Sequence, residues 1–300
     1  MKLCTRFFSA LLALVFIFLS VSSCKKRPET VITETDTYYS YTNVSYGRNE
    51  RHYLDLVIPK GENVASGMIL YIHGGGWIAG EKDGYANTLI SNVEKGYVSA
   101  AINYRYANGR RVTCEDILDD IEDALDEIKS ICADRGLNVD KVMLTGGSAG
   151  GHLSLMYAYT RKNSAPITPT AVVSYSGPTD LTDENFYITQ HSENIKKMIS
   201  KISGTKLLKK SIRECKDDLL DASPVHYVNS DTVPTIICHG TKDDVVPYSN
   251  AIKLYDLLLS VGVECELITF LDSGHGLDAD PQARDYSDKR FYEMAEKYLK

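Results

Sequence analysis

The sequence predicts an α/β chain: a mostly parallel, twisted sheet of about eight strands, with helices on both faces. Three observations predict it. Continuous apolar runs such as Met68-Ile69-Leu70-Tyr71-Ile72 suit strands buried on both sides. Between those runs, apolar residues recur at steps of three and four, as amphipathic helices require. The two signals alternate along the chain, which implies parallel strands joined by covering helices. A length of 300 residues suits one large domain of this kind.

The elements follow in order. Tyr53-Leu54-Asp55-Leu56-Val57-Ile58 is rich in strand-forming residues, and Pro59 ends it. Further strand signals lie at residues 68–72, 98–104, 142–145, 171–175, 235–238 and 266–270. Ile117, Leu118, Ile121, Ala124, Leu125, Ile128 and Ile131 trace one helix face. Thr113 can cap that helix, and Glu115 and Asp116 suit its positive end. Residues 149–159, 251–261 and 291–299 also read as helices. Residues 182–220 break the rhythm: they are polar and Lys-rich, with helical signals around 195–202 and 207–213. An insertion there is expected to form a small helical cap over the C-terminal strand ends, where ligands bind in such sheets.

The N-terminus carries a different signal. Lys2 and Arg6 flank an apolar run over residues 7–19, and Val21-Ser22-Ser23-Cys24 follows. The run is shorter than the ~20 residues of a membrane-spanning helix, but it has the length of a signal-peptide core. The small residues before Cys24 resemble a bacterial lipobox, in which the thiol receives a diacylglycerol. Residues 1–24 are therefore expected to be a lipoprotein-type signal peptide, with Cys24 as the lipid anchor. Residues 25–45 then form a polar tether, and 46–300 the folded domain. The expectation is an exported cell-envelope lipoprotein, periplasmic or at the cell surface, whose acyl chains hold it to a membrane.

Composition narrows the function classes. Hydrophobic content of 43% and charged content of 24% are those of a globular protein. The net charge is −7 and no basic stripe carries interleaved aromatics, so a nucleic-acid partner is not expected. Setting aside Cys4 and Cys24, the cysteines are Cys114, Cys132, Cys215, Cys238 and Cys265, scattered and without CxxC spacing. That argues against a disulfide framework and against zinc; no metal or cofactor is expected.

Three motifs carry chemistry. Gly146-Gly147-Ser148-Ala149-Gly150 is a G-x-S-x-G set between a strand and a helix, the context in which a sharp turn lifts a serine hydroxyl clear of a sheet. His73-Gly74-Gly75-Gly76-Trp77 directly follows an apolar strand. Consecutive glycines let backbone N–H groups converge on the oxyanion of a tetrahedral intermediate. Gly75 and Gly76, with the N–H of Ala149, are the expected oxyanion hole, with Gly74 as a rival. The third element is a pair of loops after successive strands: His239-Gly240-Thr241-Lys242-Asp243-Asp244 and Ser273-Gly274-His275-Gly276. A serine nucleophile needs a base, and the base needs an orienting carboxylate. Of seven histidines, His275 alone sits on a Gly-flanked loop in the order Ser, Asp, His. Ser148 is thus read as nucleophile, His275 as base and Asp243 as acid, with the adjacent Asp244 as the alternative.

The set HGGGW, GGSAGGHL, ASPVHYV, HGTKDDVVP and SGHG resembles the α/β-hydrolase esterases of the BD-FAE-like and hormone-sensitive-lipase-like type. The resemblance runs from Tyr53 to the C-terminus. It implies the α/β-hydrolase fold and Ser148, Asp243 and His275 as the triad. It also implies a serine carboxylic ester hydrolase that forms an acyl-enzyme on a small acyl ester or an acylated carbohydrate, such as acetylated or feruloylated polysaccharide. One departure is the Ala107-Asn108-Gly109-Arg110 stretch after Asn103-Tyr104-Arg105-Tyr106, where the family often carries acidic or proline-rich sequence. Two rivals share the scaffold: a prolyl-oligopeptidase-like peptidase and a catalytically inactive binding protein. The first carries a large upstream propeller, for which the stretch ahead of His73 is too short; the second typically loses the serine or the histidine.

Overall fold

The computed structural model describes residues 28–61, 64–188 and 191–300. The expected signal peptide and lipid anchor at Cys24 lie outside the described residues, as do residues 25–27 of the expected tether.

Nine strands form one sheet among the described residues. They are β1 (Val31–Glu34), β2 (Tyr38–Ser45), β3 (Tyr53–Pro59), β4 (Gly67–Ile72), β5 (Val98–Ile102), β6 (Lys141–Gly147), β7 (Thr168–Tyr175), β8 (Thr235–Gly240) and β9 (Cys265–Phe270). The order is β1-β2-β3-β5-β4-β6-β7-β8-β9. The first three strands and β5 pair antiparallel, and every pair from β5 to β9 is parallel. The helices are α1 (Ala86–Val93), α2 (Cys114–Asp134), α3 (Ala149–Thr160), α4 (Ser192–Ile202), α5 (Lys216–Asp221), α6 (Tyr248–Ser260) and α7 (Pro281–Leu299). Leu89 and Val93 of α1 and Phe291, Met294 and Leu299 of α7 pack on one face. Apolar residues of α2, α3, α4 and α6 join the larger core on the other. Both faces are covered, which is why the central strands read as unbroken apolar runs.

Two expectations are corrected. Residues 31–45 are not a tether: they are an antiparallel hairpin that extends the sheet by two strands. The cause is side-chain chemistry. Tyr41 and Val44 of β2 are buried in the core, and Arg135, at the end of α2, stacks on the Tyr39 ring at 4.1 Å and donates to the Tyr41 hydroxyl at 2.5 Å. The second correction lies in the insertion. Its first helical signal is α4, but 207–212 forms turns, and helix resumes with a 3₁₀ segment at Arg213–Cys215. There Ser211 and Glu214 exchange hydrogen bonds in the manner of a capping box, which sets the helix start later than the apolar spacing suggests.

The expected start of α2 is observed: the Thr113 N–H and hydroxyl both donate to Asp116, at 2.9 and 3.0 Å. All five cysteines expected in the domain are free thiols, four of them buried. No described helix is long and apolar enough to cross a membrane.

Candidate active site

The centre of the sheet delivers Ser148 through a tight elbow. β6 ends at Gly147 and α3 begins at Ala149, so Ser148 takes the whole turn, with φ 55° and ψ −121°. That conformation is strained for a residue with a side chain and marks a position fixed by its surroundings. The elbow requires glycine on either side: a Cβ on Gly146 or Gly150 would run into the Ile72 carbonyl of the neighbouring strand. Ala149 is the first residue of α3, so its N–H belongs to the unpartnered first turn at the positive end of the helix dipole.

The His73–Trp77 loop leaves the end of β4 beside this elbow. Gly75, Gly76 and Trp77 all have positive φ, at 108°, 58° and 63°. The Gly75 carbonyl is taken by the N–H groups of Ile78 and Ala79. Among the described residues, the N–H groups of Gly75 and Gly76 donate to no backbone acceptor. The geometry thus keeps donors in reserve on the loop facing Ser148.

Two braces hold this loop. The Trp77 indole N–H donates to His152 Nδ1 at 3.1 Å, and His152 Nε2 donates to the Ala222 carbonyl at 2.8 Å. A chain of contacts therefore ties the glycine loop to α3 and to the ASPVHYV segment. Burial pushes the His152 pKa down to about 4, so the ring is a neutral strut. On the other side, Arg51 donates to the carbonyls of Tyr104 and Gly80 at 2.8 and 3.0 Å, pairs with Glu81 at 2.8 Å and stacks on Tyr106. His73 lies flat on Tyr104 with ring centroids 4.2 Å apart. Burial holds its pKa at about 4 as well, so it too is a neutral support. The Asn103–Tyr106 stretch is thereby explained as the brace of the glycine loop.

Asp243 and His275 arrive on the loops after β8 and β9. The Asp243 side chain is fully buried, and its Oδ2 accepts from His275 Nδ1 at 2.8 Å. Its Oδ1 accepts the N–H groups of Val245 and Val246, both at 2.9 Å. His239 Nε2 lies 3.2 Å from Oδ2 while also donating to the Val246 carbonyl. Burial alone would raise the Asp243 pKa. Hydrogen bonds from His239 and His275 outweigh it and hold the carboxyl well below its usual range. Asp244 points elsewhere, more than half exposed and 3.4 Å from His191. The structure therefore brings Asp243, and not Asp244, to His275. With Nδ1 donating, His275 Nε2 carries a lone pair. Among the described residues the chain of hydrogen bonds ends at this ring and does not extend to the Ser148 hydroxyl.

A small cavity of about 30 Å³ opens on Ser148. Gly76 and Trp77 wall it on one side and Val246 on another; Phe186, Ile195 and Met198 of the insertion close it. Residues of the insertion thus border the cavity that opens on Ser148. Among the described residues no three His, Cys, Asp or Glu side chains converge as a metal site would require.

Comparison with known proteins bears on the family and the fold. The BD-FAE family model matches residues 54–258, more than half of the chain. The chain is 31% identical over 231 residues to a probable carboxylic ester hydrolase, LipM, of Mycobacterium tuberculosis, covering 73% of this chain and 52% of that protein. It is 27% identical to the esterase LipQ of the same organism, covering 78% and 56%. The chain spans about half the length of these curated relatives. Among solved structures, a truncated carbohydrate esterase from gut microbiota superposes with a TM-score of 0.69 at 24% identity, covering 88% of this chain and 99% of that one; this likeness speaks to the fold. The sheet, the serine elbow and the family match over residues 54–258 lead to one conclusion: the chain has the α/β-hydrolase fold and belongs to the BD-FAE family.

Proposed function

We propose that this chain is a serine carboxylic ester hydrolase with Ser148 as nucleophile, His275 as base and Asp243 as the orienting acid. The observation that carries the reading is the pairing of an elbow serine at a helix N-terminus with a buried Asp243–His275 hydrogen bond at the ends of β8 and β9. In this scheme Ser148 Oγ attacks the ester carbonyl carbon, and its proton passes to His275 Nε2. The carbonyl oxygen becomes an oxyanion that the N–H groups of Gly75, Gly76 and Ala149 stabilise. Collapse of the intermediate breaks the bond to the alcohol, which leaves with the proton from His275. An acyl group then remains on Ser148. Water, deprotonated by His275, attacks the acyl carbon; the acid departs and the serine regains its proton. Asp243 fixes the tautomer and stabilises the imidazolium. The His275–Ser148 contact, open in this structure, closes when substrate settles, as is common for catalytic hydrogen bonds.

The substrate is a small acyl ester or an acylated carbohydrate such as acetylated polysaccharide; the carbohydrate esterase with the same fold supports this reading. No cofactor takes part. Cys24 carries lipid and holds the exported enzyme at a membrane of the cell envelope. One set of measurements tests both parts. A fluorophosphonate is expected to label Ser148 at one equivalent, as mapped by mass spectrometry of the cleaved protein; a label on another residue, or none, contradicts the site. In the same cells, Cys24→Ala is expected to shift the protein out of the membrane fraction; unchanged fractionation and unchanged N-terminal mass contradict the anchor.

A further inference from the structure

The cavity on Ser148 has an orientation as well as a size. Resting on the proposed hydrolase reading, the leaving alcohol must lie beside His275, which gives it its proton. The cavity is walled by Ser148 and Gly76 but not by His275. A substituent on the carbonyl carbon that enters it therefore points away from the leaving group, and that substituent is the acyl chain. The cavity holds about 30 Å³, room for about one or two groups the size of a water molecule. A methyl or ethyl fits; an octanoyl tail or a phenylpropenoyl ring does not.

We infer that this enzyme selects acetyl and propionyl esters, and that Met198 of the insertion is the residue that sets the limit. Met198 lies on the inner face of α4 with Ile195 and Ile199, the spacing that turns three side chains to one side of a helix. Ile195 and Ile199 are buried in the core and anchor the helix, whereas Met198 is half-buried and borders the open space. Its sulfur packs so closely on the glycine loop that a Cβ on Gly76 would run into Met198 Sδ. The thioether thus borders the acyl space while lying against the loop that carries the expected oxyanion donors. An unbranched side chain of this kind is easily replaced by smaller ones, so the limit is adjustable by one substitution. Phe186 and Trp77, both buried, wall the cavity as well, together with Ile195, Ile199 and Val246. Each further methylene the cavity cannot house is expected to cost roughly tenfold or more in kcat/KM.

The test is a chain-length series of p-nitrophenyl esters, acetate to octanoate, with methyl ferulate added. The wild-type enzyme is expected to favour acetate over octanoate by more than about a hundredfold and to leave the ferulate essentially uncleaved. Met198→Ala is expected to raise the butyrate-to-acetate ratio of kcat/KM about tenfold or more, and Met198→Leu to keep the wild-type ratio. The ratio is the quantity read, because loosening the glycine loop lowers every rate together. Efficient octanoate or ferulate cleavage by the wild type overturns the inference, as does an unchanged ratio in a folded Met198→Ala. If Met198→Ala does not fold, the wild-type series decides by itself. Turnover without chain-length preference overturns the acyl limit and leaves the hydrolase reading standing. No turnover, with Ser148 unlabelled by the phosphonate, overturns both.

Discussion

His152 and His73 show how single residues shape a site without touching substrate. Both rings are neutral in the folded protein, because burial holds their pKa values at about 4. An exposed imidazole titrates near pH ~6.5. Between these two values the unfolded chain binds protons that the folded chain refuses, so stability rises with pH across that window. The contribution is complete above about pH 6.5 and is lost as pH falls toward 4. One pKa unit corresponds to about 1.4 kcal/mol, so each ring accounts for about 3 kcal/mol at most. The urea midpoint is therefore expected to fall steeply from pH 6.5 to 4. His152→Gln, which cannot titrate, is expected to flatten part of that slope; equal slopes in both proteins contradict the role. Ser148, His275 and Asp243 could be singled out in the sequence because each sits in a local motif and the order Ser, Asp, His is that of this fold. The choice between Asp243 and Asp244 rested on one residue of loop geometry, which the observed hydrogen bond to His275 decides. The struts were not legible. Trp77 and His152 are 75 positions apart, and His152 and Ala222 are 70. Nothing local in either segment signals the other.

At the scale of elements, the parallel core and the long helices were readable, because burial on both faces leaves continuous apolar runs and 3.6-residue periods. Thr113 was readable as the start of α2 because a capping residue with an acid three positions later is a local device. The β1–β2 hairpin was hidden by its composition. Its Thr, Ser and Tyr residues look like a polar linker, yet β-branched and aromatic residues also favour strands, and the decisive partner, Arg135, comes a hundred residues later. The difference has a measurable consequence. A tether can be removed at no cost, whereas deletion of residues 28–45 uncovers the edge of β3, where Leu54, Leu56 and Ile58 are fully buried. Full burial of such a side chain contributes about 1.5–3 kcal/mol, and an uncovered apolar edge promotes aggregation. The deleted protein is expected to unfold at a clearly lower urea concentration and to aggregate. An unchanged midpoint restores the tether.

The whole molecule gathers groups far apart in sequence at one end of one sheet. β4 leads to the glycine loop, β6 to Ser148, β8 to Asp243 and β9 to His275, all at the carboxyl ends of parallel strands, where this class of sheet binds ligands. Residues of the insertion after β7 then border the cavity on Ser148. Topology explains why short motifs could nominate these residues, and why they could not give the cavity's size, which depends on how α4 docks. The central claim is that Ser148 and His275 act as one unit. The most direct measurement is kcat/KM on an acetyl ester for the wild type, Ser148→Ala, His275→Ala and the double variant. Members of a catalytic unit are strongly non-additive, and single losses reach about 10⁶ in kcat. The account predicts that each single variant loses roughly 10⁴–10⁶-fold and that the double variant is no worse than the singles. Losses that multiply in the double variant, or substantial activity in Ser148→Ala, contradict it.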